Sequence, residues 1–221
     1  MVRVCLQGGN ELLPPSREMD LALLDMAGPG PTVVVPLASK PGADYSRTGA
    51  HATSYFTDLG ADVAVAPDAR RDAVGAAAAV DAASYIVLTG GSPRVLRDAL
   101  VGTGLGARIV AAAQRGVLVM GSSAGAMVAC ATTLLPQWRG NPQVGPGLGL
   151  VDGYVVVPHF DGHRTAWVRA GLSAAPAVLG IAENSGVLVD GDQLTSLGQS
   201  ATTLITADGR RDVAGVGFEP T

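Results

Sequence analysis

The chain alternates between two patterns, and that alternation restricts the fold more than anything else in it. Short apolar runs at 2–6, 32–35, 63–65, 85–88 and 117–120 each give way to a stretch with helical character. The helical stretches lie at 16–26, 43–59, 72–80, 94–100, 107–114 and 124–131. On the first of them Met19, Leu23 and Met26 share one face, and Gly28-Pro29-Gly30-Pro31 ends it. Strand–helix alternation of this kind predicts parallel strands joined by right-handed crossovers. Strands without a polar face predict helices on both sides of the sheet.

The second half changes character. Residues 140–149 are rich in Gly and Pro and read as a loop. A strand at 154–157 delivers Pro158-His159-Phe160, and a helix is expected over 163–172. From Val178 onward short apolar runs are punctuated by Asp190-Gly191 and Asp208-Gly209, which are hairpin signals. The expected architecture is therefore α/β: a mostly parallel sheet with helices on both faces, finished by an antiparallel C-terminal edge. No internal repeat or long linker interrupts the chain, so residues 1–221 are expected to form a single domain.

Composition excludes several functions. Hydrophobic residues make up 48% of the 221 and charged residues 15%, enough apolar material for a buried core. The net charge is −4 and the basic residues are scattered, so no phosphate-neutralising patch predicts a nucleic-acid partner. No apolar run is long enough to span a bilayer, and the start of the chain lacks a signal-peptide pattern. Two cysteines, Cys5 and Cys130, are too few for a disulfide framework and read as small buried hydrophobes. A reducing cytoplasm is the expected compartment.

The chemistry concentrates at 117–127. An apolar strand runs into an apolar helix through Gly121-Ser122-Ser123-Ala124-Gly125, a Gly-x-Ser-x-Gly turn. Small flanking residues let strand and helix approach, and the turn lifts the hydroxyl of Ser123 above the sheet. The Ala124 N–H, at the start of the helix, is a natural donor to a developing oxyanion. Ser122 is adjacent but off the centre of the motif. The competing reading is an ordinary glycine-rich turn between strand and helix.

A serine nucleophile needs a base. Of His51, His159 and His163, only His159 follows a strand toward the end of the sheet where Ser123 is expected. His51 lies within a helix without a motif and reads as a surface or packing residue. His163 is a secondary candidate, at a helix start or against substrate. The acid that orients the imidazole is more open. Asp152, Asp161, Glu183, Asp190, Asp192, Asp208, Asp212 and Glu219 all follow Ser123. Glu183 stands out because it emerges from the buried run 178–182, and strand ends are where α/β sites assemble.

Gly121-Ser122-Ser123-Ala124-Gly125-Ala126, Pro158-His159-Phe160 and Gly180-Ile181-Ala182-Glu183-Asn184 together resemble the aspartyl dipeptidase (peptidase E) and cyanophycinase family of serine peptidases. The resemblance spans most of the chain. It implies a class I glutamine amidotransferase-like, flavodoxin-like three-layer fold and a Ser-His-Glu triad of Ser123, His159 and Glu183. It implies a second oxyanion donor in Thr89-Gly90-Gly91-Ser92, for which the Gly91 N–H is the candidate. It implies no metal and no other cofactor, a small peptide or amide as substrate, and is compatible with a homodimer. Val157-Pro158 stands before His159 where cyanophycinase-like members carry Asp-Gln, so the dipeptidase branch is the nearer one. The arginine array of the family is met in part by Arg164 and Arg169, and Arg164 is a candidate for gripping a substrate carboxylate. Two rival functions remain open. One is an ester or amide hydrolase on the same scaffold. The other is a catalytically silent binding protein, suggested by Gly91-Ser92-Pro93 where cyanophycinase-like members carry Gly-Asn-Gln.

Overall fold

The computed structural model describes residues 2–215. Its first half runs β1 (Arg3–Gln7), α1 (Arg17–Ala27), β2 (Thr32–Val35), α2 (Ala43–Asp58), β3 (Val63–Val65), α3 (Ala73–Ala82), β4 (Tyr85–Leu88), α4 (Pro93–Gly102), α5 (Leu105–Gln114), β5 (Leu118–Ser122) and α6 (Ala124–Ala129). There follow β6 (Thr132–Leu135), β7 (Gln143–Pro146), β8 (Tyr154–Pro158), α7 (Thr165–Leu172), β9 (Ala177–Ile181), β10 (Ser185–Asp190), β11 (Gln193–Gly198), β12 (Thr203–Thr206) and β13 (Gly209–Asp212).

The main sheet has the order β11-β10-β1-β5-β4-β2-β3. β1, β5, β4, β2 and β3 are mutually parallel, while β10 and β11 close one edge antiparallel. The period-2 pleat divides each apolar strand between two layers. On β4, Tyr85 and Val87 pack with Met19 and Leu23 of α1 and with Ala52 and Phe56 of α2. Ile86 and Leu88 point the other way, into a layer built with Ala76 and Val80 of α3, Leu96 of α4 and Ile109 of α5. Both faces are covered, which is why these strands carry no polar face.

Two helices, α3 and α4, begin at caps written in their sequences. Ser92 accepts a hydrogen bond from the Val95 amide (3.3 Å) with Pro93 at the first helical position of α4, and Asp72 accepts one from the Gly75 amide (2.8 Å) at α3.

Four expectations are corrected. The strand at 154–157 does not join the main sheet. It is β8 of a second, four-stranded sheet, β13-β12-β9-β8, with β9 parallel beside it. The outer edge of β1 is already occupied by β10, so β8 and β9 stack over that part of the sheet instead. Val155, Val157, Val178 and Ile181 share a core with Val4, Leu6 and Val187. The helix expected over 124–131 ends at Ala129, because β-branched Thr132 and Thr133 open a strand. The loop expected at 140–149 holds β7, which pairs antiparallel with β6. The helix expected from 163 begins at Thr165.

Candidate active site

The turn after β5 is held by steric necessity. A Cβ on Gly121 would stand 2.5 Å from the Gly125 carbonyl group, and one on Gly125 would stand 2.3 Å from the Leu88 oxygen. Only glycine lets α6 lie so close to the ends of β5 and β4. Between them Ser123 takes φ 45° and ψ −102°, a conformation an L-residue rarely adopts. The Ser123 amide donates to the Gln7 carbonyl (2.9 Å), which fixes the turn to the end of β1.

That end of β1 anchors the whole site. The carbonyls of Gln7, Gly8 and Gly9 accept, in order, the amides of Ser123 (2.9 Å), His159 (2.8 Å) and Asn184 (3.0 Å). Three segments far apart in sequence are thereby registered on one stretch of backbone. His159 follows β8 at φ 50° and Glu183 follows β9, and the β8–β9 pairing brings both to one end of the second sheet.

The side chains form a line. Ser123 Oγ lies 2.9 Å from His159 Nε2, and His159 Nδ1 lies 2.8 Å from Glu183 Oε1. An ionised carboxylate only accepts, so Nδ1 carries a proton toward Glu183 and Nε2 is left to accept the serine hydroxyl. The other carboxylate oxygen, Oε2, accepts from Asn10 Nδ2 at 2.7 Å.

Facing this line is the turn after β4. The Gly90 amide donates to Glu11 Oε1 (2.6 Å) and the Ser92 amide to the Ala38 carbonyl (3.1 Å). Among the described residues the Gly91 N–H has no partner, nor has the Ala124 N–H at the start of α6. Gly91 sits at φ 135°, where a Cβ would stand 2.8 Å from the Ala38 oxygen. Gly91, Ser123 and His159 line one open cleft of about 540 Å3, so two donor N–H groups without partners belong to the same locality as the hydroxyl.

The sequence model of peptidase family S51 matches residues 8–197, from the end of β1 to β11. The chain belongs to peptidase family S51. It is accordingly a member of a family of serine peptidases. No curated protein sequence matches it. Among solved structures it is similar to a peptidase from an acI-B1 Actinobacterium, with TM-score 0.82 and 23% identity over 99% of this chain and 96% of that one. It is also similar to a protein provisionally assigned as a peptidase E from Listeria monocytogenes EGD-e, with TM-score 0.66 and 16% identity over 90% of this chain and all of that one. These likenesses establish the fold: a mostly parallel α/β sheet with antiparallel edge strands.

Within this S51 fold Ser123, His159, Glu183, Gly91 and Ala124 come together at one end of the sheets. Arg164 and His163 stay outside the cleft. The Arg164 Nε donates to the His159 carbonyl (3.1 Å), bracing its backbone, and His163 is exposed with its amide on Asp161. Of the other acids considered, Asp152 caps its own turn at Gly153, Asp190 pairs with Gln193 in a hairpin, and Glu219 lies outside the described residues.

Several site residues are not evident from the sequence. His51, an exposed surface residue as its sequence suggests, lies beside the cleft with Arg47 and Thr48, all on one face of α2. Asn10 and Glu11 line it from the loop after β1. The signal was present in Gln7-Gly8-Gly9-Asn10-Glu11, a polar Gly-Gly turn at the end of a central strand. Among the described residues no cluster of three His, Cys, Asp or Glu side chains could hold a metal ion, and no helix is long and apolar enough to cross a membrane.

Proposed function

We propose that this chain hydrolyses a short peptide or small amide through an acyl-enzyme on Ser123. The observation that carries the reading is the continuous line from Ser123 Oγ through His159 to Glu183, with separations of 2.9 and 2.8 Å. His159 Nε2 takes the hydroxyl proton as Oγ attacks the carbonyl carbon. Glu183 holds the imidazole in the Nδ1–H tautomer and stabilises the cation that forms. The carbonyl oxygen, now carrying the electron pair of the broken π bond, accepts hydrogen bonds from the Gly91 and Ala124 N–H groups. His159 then returns its proton to the leaving amine, the C–N bond breaks, and water enters by the same steps in reverse.

The cleft supports a small substrate. Its volume of about 540 Å3 lies in the range of small-ligand sites. Arg47, Thr48 and His51 give its α2 wall a polar, partly basic lining against which a charged end of a short peptide can rest. The test is hydrolysis of a panel of dipeptides and tripeptides, with free and amidated ends, read by product mass. The reading expects cleavage of a subset by the wild type and none by Ser123→Ala. Cleavage by Ser123→Ala at the wild-type rate would contradict it.

A further inference from the structure

Glu11 takes no part in the line from Ser123 to Glu183, yet its carboxylate makes two of the shortest hydrogen bonds around the cleft. Oε1 accepts from the Gly90 amide at 2.6 Å, and Oε2 accepts from the Ser122 hydroxyl at 2.8 Å. The partners lie 79 and 111 residues away in sequence, on the turn after β4 and on the last residue of β5. One side chain therefore joins three loops at the ends of three adjacent strands.

Resting on the serine-peptidase reading above, we infer that Glu11 is the residue that positions the oxyanion-binding backbone. Gly90 and Gly91 are consecutive glycines, and an untethered Gly-Gly segment samples a wide range of φ and ψ. An oxyanion donor works only when held in place before the charge develops. Glu11 fixes the amide before Gly91, and the Ala38 carbonyl fixes the amide after it, at Ser92. The Gly91 N–H is the one left between two spent neighbours. The second bond, to Ser122, ties the same carboxylate to the residue preceding Ser123. The donor loop and the nucleophile turn are thus held at a set separation. Ser122, buried and beside the nucleophile, acquires a role as the other end of this tie.

The chemistry explains why an acceptor with two oxygens stands here. Both partners are donors, and a carboxylate accepts both in short, charge-assisted bonds. Its charge is not the useful part, because a negative group near a developing oxyanion opposes it. Glutamine keeps both contacts: its oxygen accepts from Gly90, and its amide nitrogen donates to the Ser122 oxygen. Position and charge are therefore separable by substitution.

The experiment measures the second-order rate of fluorophosphonate labelling at Ser123, by intact mass and peptide mapping, together with the thermal midpoint of each variant. Wild type, Glu11→Ala, Glu11→Gln and Ser122→Ala are compared. Losing an oxyanion donor outright costs about 10²- to 10³-fold, so its misplacement in Glu11→Ala is expected to cost roughly 10- to 100-fold. On any cleaved peptide the loss should fall on kcat with KM little changed, as for a contact made only in the transition state. Glu11→Gln should recover most of the loss, and Ser122→Ala should lose about 3- to 10-fold. Glu11→Ala labelling within about twofold of wild type overturns the inference, as does Glu11→Gln labelling as slowly as Glu11→Ala. Should Glu11→Ala fail to fold, Ser122→Ala decides: a wild-type labelling rate there overturns the inference. A wild type that takes no label at Ser123 overturns the serine-peptidase reading itself, and the inference with it.

Discussion

The imidazole of His159 lies directly against the backbone of Gly9: a Cβ on Gly9 would stand 2.2 Å from Cε1 and 2.7 Å from Nδ1. The ring cannot retreat, because Nε2 and Nδ1 are both held, by Ser123 and Glu183. Gly9 also sits at φ 121°, where an L side chain is strained.

Gly9→Ala should therefore displace the ring rather than unfold the protein. Displacing a catalytic group by about 1 Å costs roughly 10²-fold, and that is the loss of hydrolysis expected. Circular dichroism should remain native. Undiminished activity in Gly9→Ala would show that the ring contact does not matter.

Ser123 holds a conformation that favours glycine, φ 45° and ψ −102°. Such positions cost on the order of 1–3 kcal/mol in a non-glycine residue. Ser123→Ala keeps the strain while removing the hydroxyl, whereas Ser123→Gly removes both. Denaturant melts should find Ser123→Gly the more stable of the two by about 1 kcal/mol, after the entropic penalty of glycine is subtracted. The reverse order would mean the turn is not strained.

Asn10 reaches Glu183 Oε2 at 2.7 Å, on a carboxylate that is otherwise exposed to solvent. It holds the acid while the acid holds His159. Asn10→Ala leaves the Glu183–His159 bond in place, so kcat is expected to fall only about 3- to 10-fold, well short of the loss in Glu183→Ala. Equal losses in the two variants would move Asn10 from a supporting to a central role.

The Gly-x-Ser-x-Gly turn was legible because its signal is contiguous: strand, small residues and helix lie within 117–127. The parallel layers were legible for the same reason, since each apolar run carries its own period. The acid was not fixed by the residues alone. What distinguishes Glu183 from Asp152 or Asp190 is the β8–β9 pairing, and nothing local encodes which strands pair. The second sheet was missed on that ground, as β8 is as apolar as β1. The contacts of Glu11 and the cleft-side place of His51 were opaque because both exist only in the tertiary structure. Glu11 meets its partners over 79 and 111 residues, and His51 faces the cleft only once α2 packs beside the loop after β1.

Beneath that loop lies Asp20, fully buried on α1, with Oδ2 accepting the Tyr55 hydroxyl at 2.7 Å and Oδ1 without a partner among the described residues. Burial pushes its carboxyl from the ordinary 3.8 up to about 7, opposed by the Tyr55 hydrogen bond and reinforced by the charge of Glu11. Below the ordinary value both folded and unfolded chains hold the proton. Between that value and about 7 the unfolded chain releases it while the folded chain keeps it, so folding stability falls as pH rises. At roughly 1.4 kcal/mol for each pH unit of this window, the total loss by pH 8 is on the order of 4 kcal/mol. Asp20→Asn does not titrate. Urea melts of both proteins at about pH 5 and pH 8 should show the variant gaining on the wild type at the higher pH. A difference that does not change with pH would contradict the assignment of the buried proton to Asp20.

The proposed hydrolysis rests on an activated Ser123 and on His159 as the group that activates it. Fluorophosphonate labelling of the intact protein, followed by peptide mapping, tests this before any substrate is known. One adduct per chain is expected, on Ser123 in the wild type, absent in Ser123→Ala and slowed in His159→Ala by about 10³-fold or more. An adduct on another residue, or labelling of His159→Ala at the wild-type rate, would contradict it.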